Sequence, residues 1–285
     1  MIPARFRCRH PGTKLELPGP EALRAEERHE PLTDPMPRAG DDSRVTRFSA
    51  SEIKFIVDPD RAERIRAWAR ARLDADPHGA GAAADEYAIK SLYFDTEHLD
   101  VYNRRGSYAR GKYRARRYGH DDGLFLERKL RTRSLLSKRR TRVALDALQA
   151  LDANPLMDGP GRWFHKRLIV RELRPSCQIE YRRMARQKAT PHGTMRLTID
   201  EGLQARRVDQ LLLSEAPGIP VAPGQLILEI KFRIELPSLF KRLIEEFALS
   251  PQPISKYRLA MDALHRRPGA PGPEVEEDAL LTVAG

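Results

Sequence analysis

The sequence predicts an α+β protein built on eight antiparallel strands that form a β-barrel or a strongly curved sheet, with helices packed outside. Three observations predict it. Eight stretches are strand-like, at 51–57, 90–95, 111–118, 124–131, 136–143, 177–185, 195–201 and 226–233. Most neighbours are joined by short, turn-like segments such as 119–123 and 132–135, which argues for antiparallel pairing. Only a few stretches of helical period fall between them.

Taken in order, residues 1–44 are rich in Pro, Arg, Glu and Asp, show no apolar periodicity and read as a disordered tail. The folded part spans 45–266. After the first strand, Asp58-Pro59 is an N-cap and first-turn pair, and Ile65, Trp68, Ala69 and Leu73 form one apolar helical stripe, read as core packing. The 74–85 segment, DADPHGAGAAAD, reads as a loop. Residues 145–152 and 162–173 have helical character. Pro237 opens a helix that buries Leu239, Phe240, Leu243, Ile244 and Phe247, and Ser255 caps a last helix through His265. Residues 267–285 read as a second disordered tail.

Composition narrows the partners. The 285 residues carry 51 Lys+Arg against 40 Asp+Glu, a formal net charge of +11. That balance points to a polyanion: nucleic acid, an acidic membrane surface or phosphate compounds. Two cysteines, Cys8 and Cys177, exclude a disulfide framework or a Cys-based zinc site. The start has no apolar secretory core and no apolar run is long enough to span a bilayer, so a cytoplasmic protein is expected.

The strands place these charges on one face, because alternate residues of a strand point to opposite sides. Glu52 and Lys54 share a face; so do Lys112, Arg114, Arg116 and Tyr118; Glu127, Lys129 and Arg131; Lys138, Arg140 and Arg142; Tyr181 and Arg183; Arg196, Thr198 and Asp200; Glu229 and Lys231. Apolar residues such as Leu124, Leu126, Leu197, Ile199, Leu228 and Ile230 stand opposite. One such strand is ordinarily the solvated side of a sheet. Repeated across the set, cations dominate, and like charges about 4 Å apart repel by roughly 4 kcal/mol at an effective dielectric near 20. A closed barrel whose bore holds an anion offsets that cost.

In order along the chain, SEIKF (51–55), KSLYFDT (90–96), KYRARRYG (112–119), FLERK (125–129), SKRR (137–140), EYRRMA (180–185), MRLTID (195–200), LILEIKF (226–232) and SKYR (255–258) resemble the VTC domain. This is the polyphosphate polymerase branch of the triphosphate tunnel metalloenzymes, related to the CYTH group. The resemblance implies an eight-stranded tunnel with helices outside, and a transferase that moves the terminal phosphate of ATP onto inorganic polyphosphate. Carried over to this chain, it implies phosphate ligands at Lys54, Arg114, Arg116, Lys129, Lys138, Tyr181, Arg183, Arg196, Lys231, Ser255 and Lys256. Of these, Arg114, Arg116, Lys129 and Lys256 surround the transferred group. It implies Mn²⁺ or Mg²⁺ on Glu229, with Glu127 a second metal candidate. Phosphoryl transfer needs positioning and charge neutralisation more than covalent help, and an already ionised polyphosphate terminus needs no general base. That fits the scattered histidines, His78, His98, His120, His165, His192 and His265.

Hydrolytic CYTH relatives open with Glu-x-Glu-x-Lys, but Ala50 stands here in place of the first glutamate, which favours the polymerase branch. The 44 leading residues are too few for an SPX domain, so inositol-phosphate regulation is not expected. ATP or another nucleoside triphosphate and polyphosphate are the expected partners. No DNA partner or membrane span is expected, and a membrane-associated partner is compatible. Two alternatives stand beside the polymerase: a tripolyphosphatase or nucleoside triphosphatase of the same fold, and a non-catalytic polyphosphate- or RNA-binding module. RNA is the weaker target because no stacking aromatics interleave the basic strands. Arg117 and Arg182 are expected to point away from the bore, and Asp95 to hold a turn or an arginine.

Overall fold

The structure, a computed structural model, describes residues 45–46 and 50–265, apart from 78, 80–82, 120, 132–135, 153–155 and 157. Both predicted tails, the 132–135 turn, His78 and His120 lie outside the described residues.

The strands are β1 (Val45–Thr46), β2 (Ala50–Val57), β3 (Asp74–Ala75), β4 (Glu86–Asp95), β5 (Gly111–Tyr118), β6 (Gly123–Arg131), β7 (Leu136–Ala144), β8 (Arg174–Lys188), β9 (Met195–Arg207), β10 (Ile219–Pro220) and β11 (Leu226–Arg233). They form one antiparallel sheet in the order β1-β7-β6-β5-β4-β8-β9-β11-β2, with β3 added to β8 and β10 to β9. The eight long strands are the eight predicted. β8 and β9 run further than expected, and the two-residue strands β1, β3 and β10 are additions that no period-two signal marks.

The sheet curls on itself. β1 pairs with β7 at one edge and β2 pairs with β11 at the other. Only residues 47–49 separate β1 from β2 in the chain, so the two edges can be at most about 15 Å apart. Lys129 on β6 donates to Glu52 on β2 at 3.1 Å, across a bore that a flat sheet would not have.

Helices α1 (Pro59–Arg72), α2 (Arg162–Val170), α3 (Ser238–Glu246) and α4 (Lys256–His265) complete the fold. Asp58 caps α1 through its carboxylate, which accepts from the Arg61 N–H at 2.8 Å. The stripe Ile65, Trp68, Ala69 and Leu73 is buried together with Phe240 and Leu243 of α3, against Phe55, Leu197, Ile199, Leu228 and Ile230 on the outer face of β2, β9 and β11. On the other side Phe164 of α2 sits edge-on to Phe94 (5.5 Å) and near Tyr113 (6.0 Å). Two helical expectations are corrected. Residues 145–152 form a 3-10 helix, and the helix from 162 stops at Val170, where Glu172 turns to a φ of 52°. The 74–85 segment contributes β3 and ends on the buried Asp85, which accepts from Arg70 (3.1 Å) and Arg186 (2.8 Å).

A bulge decides which residues of β9 face inward. Glu180 pairs with Gln204, but Arg182 pairs with Glu201, so β9 holds one extra residue. Gly202 lies there at a φ of 62°, a backbone region that glycine enters without a Cβ clash. The parity of β9 reverses across it. Leu197 and Ile199 pack outward beneath α1 and α3, whereas Leu203 and Ala205 belong to the other core. Thr198 and Asp200 thereby enter the bore.

Candidate functional site

Strand register brings the charged faces together. Across β4, β5, β6 and β7, Tyr93 lies beside Arg114, Arg114 beside Glu127, and Glu127 beside Arg140; Lys112, Lys129 and Lys138 form the next row. On the far wall Arg183 lies beside Asp200, Thr198 beside Glu229, and Glu229 beside Lys54. The cavity between them measures about 380 Å³. Among the described residues, twelve Lys and Arg side chains line it against three glutamates, Glu52, Glu127 and Glu229.

Each carboxylate in the bore is shared by several cations. Glu127 meets Arg114 at 2.7 Å, Lys138 at 2.9 Å and Arg140 at 3.4 Å. Glu52 meets Lys54 at 2.8 Å, Lys129 at 3.1 Å and Lys231 at 3.5 Å. Asp200 takes both arms of Arg183, at 2.6 and 2.8 Å, and Lys256 at 2.6 Å. Glu229 meets Lys231 at 2.5 Å and Lys54 at 3.9 Å. The repulsion between cationic strands is therefore offset in part from within, by four carboxylates, and not by an external anion alone.

The offset is incomplete. Burial raises the Glu127 carboxyl, but Arg114, Lys138, Arg116 and Arg140 outweigh it and hold it well below the usual range. Burial likewise opposes ionisation of Glu229, and Lys231, Lys54, Lys256 and Arg183 overcome it. The carboxylates are thus anionic. Several lysines are under strain in the opposite sense. Burial, then Lys54, Lys129 and Arg114, push Lys112 down to about 7. Burial also lowers Lys129 and Lys138. A bore in which lysines are discouraged from carrying charge gains from any anion that enters.

The segment before α4 crosses one end of the bore. Lys54 donates to the Ile254 carbonyl (3.1 Å), the Gln252 N–H donates to the Lys54 carbonyl (2.8 Å), and Lys112 on the opposite wall donates to Ser255 Oγ (2.8 Å). Tyr257 stacks on Tyr93 with ring centroids 5.2 Å apart and donates to Asp95 at 2.6 Å. Asp95 also accepts from the Thr96, Val101 and Tyr102 N–H groups, which is the turn-holding role expected of it.

All thirteen residues singled out by the resemblance line this one cavity: Lys54, Arg114, Arg116, Glu127, Lys129, Lys138, Tyr181, Arg183, Arg196, Glu229, Lys231, Ser255 and Lys256. Arg196 sits at its rim, held by Asp76 and the Tyr87 hydroxyl. Arg182 points outward to Glu201, which Arg66 of α1 also meets, and Arg117 donates to the Asp121 carbonyl. Several contributors lie outside that set, among them Glu52, Lys112, Asp200, Tyr93 and Tyr257. Glu52, Lys112 and Asp200 stand on the charged faces of the sequence without a role; their alternation is the signal that could have found them. Tyr93 and Tyr257 gave no signal, because the first lies in an unbroken apolar run and the second on a helix.

Two observations test whether phosphate and metal suit these residues. The Tyr181 hydroxyl lines the cavity and, with Thr198 Oγ1, is buried without a hydrogen-bond partner. Buried hydroxyls are normally paired, and a phosphate oxygen in the cavity would pair that of Tyr181. Among the described residues no cluster of three or more His, Cys, Asp or Glu side chains forms a ready-made metal cage. A hard divalent ion bound largely through phosphate oxygens needs only one or two carboxylates. Glu229 suits that: it is buried in the cavity wall, close to Glu52 and Asp200 in electrostatic terms, with one close cation. Glu127 suits it less, since three cations already occupy its oxygens.

Sheet and cavity together define the class: a curled antiparallel sheet with outer helices around a cation-lined bore. Residues 49–265 match the VTC domain, and the chain belongs to that family. No curated protein matches it in sequence. Solved structures similar in fold include a candidate adenylate cyclase from Bacillus halodurans (14% identity, TM-score 0.48, covering 72% of this chain and 92% of that one). Another is a candidate adenylyl cyclase from Hippeastrum described as having a dominant triphosphatase activity (14%, 0.44, 74% and 95%). A third is a protein from Pyrococcus horikoshii OT3 (11%, 0.43, 75% and 97%). Among the described residues no helix is long and apolar enough to cross a membrane.

Proposed function

We propose that this chain is a divalent-metal-dependent polyphosphate polymerase that transfers the terminal phosphate of ATP to a growing polyphosphate chain inside the bore. The observation that carries this reading is one cavity that, among the described residues, gathers twelve cationic side chains and an unpaired tyrosine hydroxyl. An oxygen of the polyphosphate terminus forms a bond to the γ-phosphorus. The bond from that phosphorus to the bridging oxygen breaks, and ADP leaves with the electron pair. The attacking oxygen is already ionised, so no residue has to remove a proton. Arg114, Arg116, Lys129 and Lys256 neutralise the transferred group, while Lys54, Lys138, Arg183, Arg196, Lys231, Tyr181 and Ser255 align the two phosphate chains. Ser255 and Lys256 also open α4, where free N–H groups suit an anion. Mn²⁺ or Mg²⁺ held by Glu229 would supply further neutralisation of phosphate oxygens.

With water as acceptor the same bore would act as a tripolyphosphatase or nucleoside triphosphatase. Its cation-rich, carboxylate-poor lining favours the transferase. The test is incubation with ATP and Mn²⁺, expecting long chains that an exopolyphosphatase degrades. Free phosphate as the sole product, at every protein concentration, transfers the assignment to the hydrolase. Glu229→Gln separates both from a binding module: an enzyme loses turnover and still binds polyphosphate.

A further inference from the structure

Three aromatic rings gather at the end of the bore opposite the segment that precedes α4. Tyr118 of β5 lies 5.9 Å from Tyr87 of β4 and 5.6 Å from Phe125 of β6, the latter edge-on. Lys112, which meets Ser255, and Tyr118 are six residues apart on the same face of β5, about 20 Å along the strand. Arg114 and Arg116 stand between them. The rings touch the cavity's own lining: Arg116 lies 5.8 Å over Tyr118, and Arg196 donates to the Tyr87 hydroxyl at 2.7 Å.

Tyr87 belongs to the buried core and Tyr118 packs against it, but Phe125 is not core. Phe125 belongs to neither buried cluster and is partly exposed, on the charged side of β6, in register with Arg116 and Arg142. The Arg140 guanidinium lies 3.5 Å over its ring and 5.1 Å from Tyr118, while its Nε faces Glu127 at 3.4 Å. The Arg140 side chain keeps about a third of its surface open, 32%. A ring and a guanidinium presented together at the mouth of a phosphate-sized bore are the two surfaces on which a nucleobase stacks.

We propose that Phe125, Tyr118 and Arg140 form a nucleobase platform, so that a nucleoside triphosphate binds with its base at this rim and its phosphates running inward past Arg116 and Arg114. This deepens the phosphate reading above and rests on it. The donor is thereby oriented with its triphosphate along Arg116 and Arg114, so that the γ-phosphate lies among the cations that neutralise the transferred group. Stacking on an aromatic face uses no base edge, so adenine and guanine nucleotides bind with similar affinity.

The test compares ATP with inorganic tripolyphosphate, which has the charge and no base, by calorimetry on the full chain. Phe125→Ala is expected to weaken ATP about tenfold and to leave tripolyphosphate within twofold; Phe125→Trp retains ATP binding and guards against misfolding. Equal losses for both ligands, or no loss for either, overturn the platform while leaving the phosphate site intact. So does a wild-type chain that binds tripolyphosphate and not ATP. A wild-type chain that binds neither ligand overturns the phosphate reading itself.

Discussion

At the scale of single residues, the bore stores charge it cannot fully neutralise. Lys112 donates to Ser255 Oγ and is held near 7 by burial and by neighbouring cations. A bound polyanion favours its ammonium form, so binding above pH 7 takes up a proton. Tripolyphosphate affinity is expected to fall between pH 7 and 9, by up to about tenfold per pH unit, in calorimetric titrations. Tyr118 adds in the same direction: burial raises its hydroxyl, but Arg116, Arg140 and Lys138 outweigh this and bring it to about 7, so it turns anionic over the same range. Lys112→Gln should flatten most of the profile, and Lys112→Gln with Tyr118→Phe the rest. A profile unchanged in the double variant excludes both groups. Asp200 is the opposite case, a carboxylate whose removal leaves Arg183 buried at 5% exposure without its partner. Asp200→Ala is expected to cost about 3–5 kcal/mol, read as a fall in urea midpoint at unchanged slope.

At the scale of elements, the β8–β9 bulge is the device that puts Asp200 beside Arg183. Without the extra residue Arg183 would face Glu201, and the carboxylate of position 200 would turn outward. A Cβ at Gly202 meets nothing within 4 Å, so a substitution there tests the backbone alone. Gly202→Ala is expected to cost about 1 kcal/mol and Gly202→Val more, since a β-branched residue tolerates the left-handed region less. Equal stability of all three in urea denaturation would mean that β9 does not need the positive φ. The eight strands were legible because charged and apolar residues alternate along them. The short strands were not, because two residues carry no period, and the 3-10 segment at 145–152 was not, because over eight residues its apolar spacing resembles an α-helix.

At the scale of the whole molecule, a sheet of like-charged faces curls around its charge. That geometry predicts coupling between anion binding and stability. Tripolyphosphate at about 100 times its Kd should add about 2.7 kcal/mol, raising Tm by roughly 5–10 °C for a domain of this size. Sulfate at equal ionic strength should leave Tm nearly unmoved, and added salt should shrink the tripolyphosphate shift. Equal shifts with sulfate and tripolyphosphate in thermal melts would reduce the bore to a nonspecific anion sink.

The amino-acid sequence alone determined the strands, the face on which each carries its cations, and through the ordered motifs the family. Those features follow from nearest-neighbour alternation, a local property of the chain. Only the tertiary structure decided that Glu52 reaches Lys129, that Ile254 and Ser255 bridge Lys54 and Lys112, and that Asp200 meets Arg183 of the neighbouring strand. These pairs are 77, 200, 143 and 17 residues apart. Their meeting depends on the curl of the sheet and on the β8–β9 register set by the bulge at Gly202, which no local period encodes.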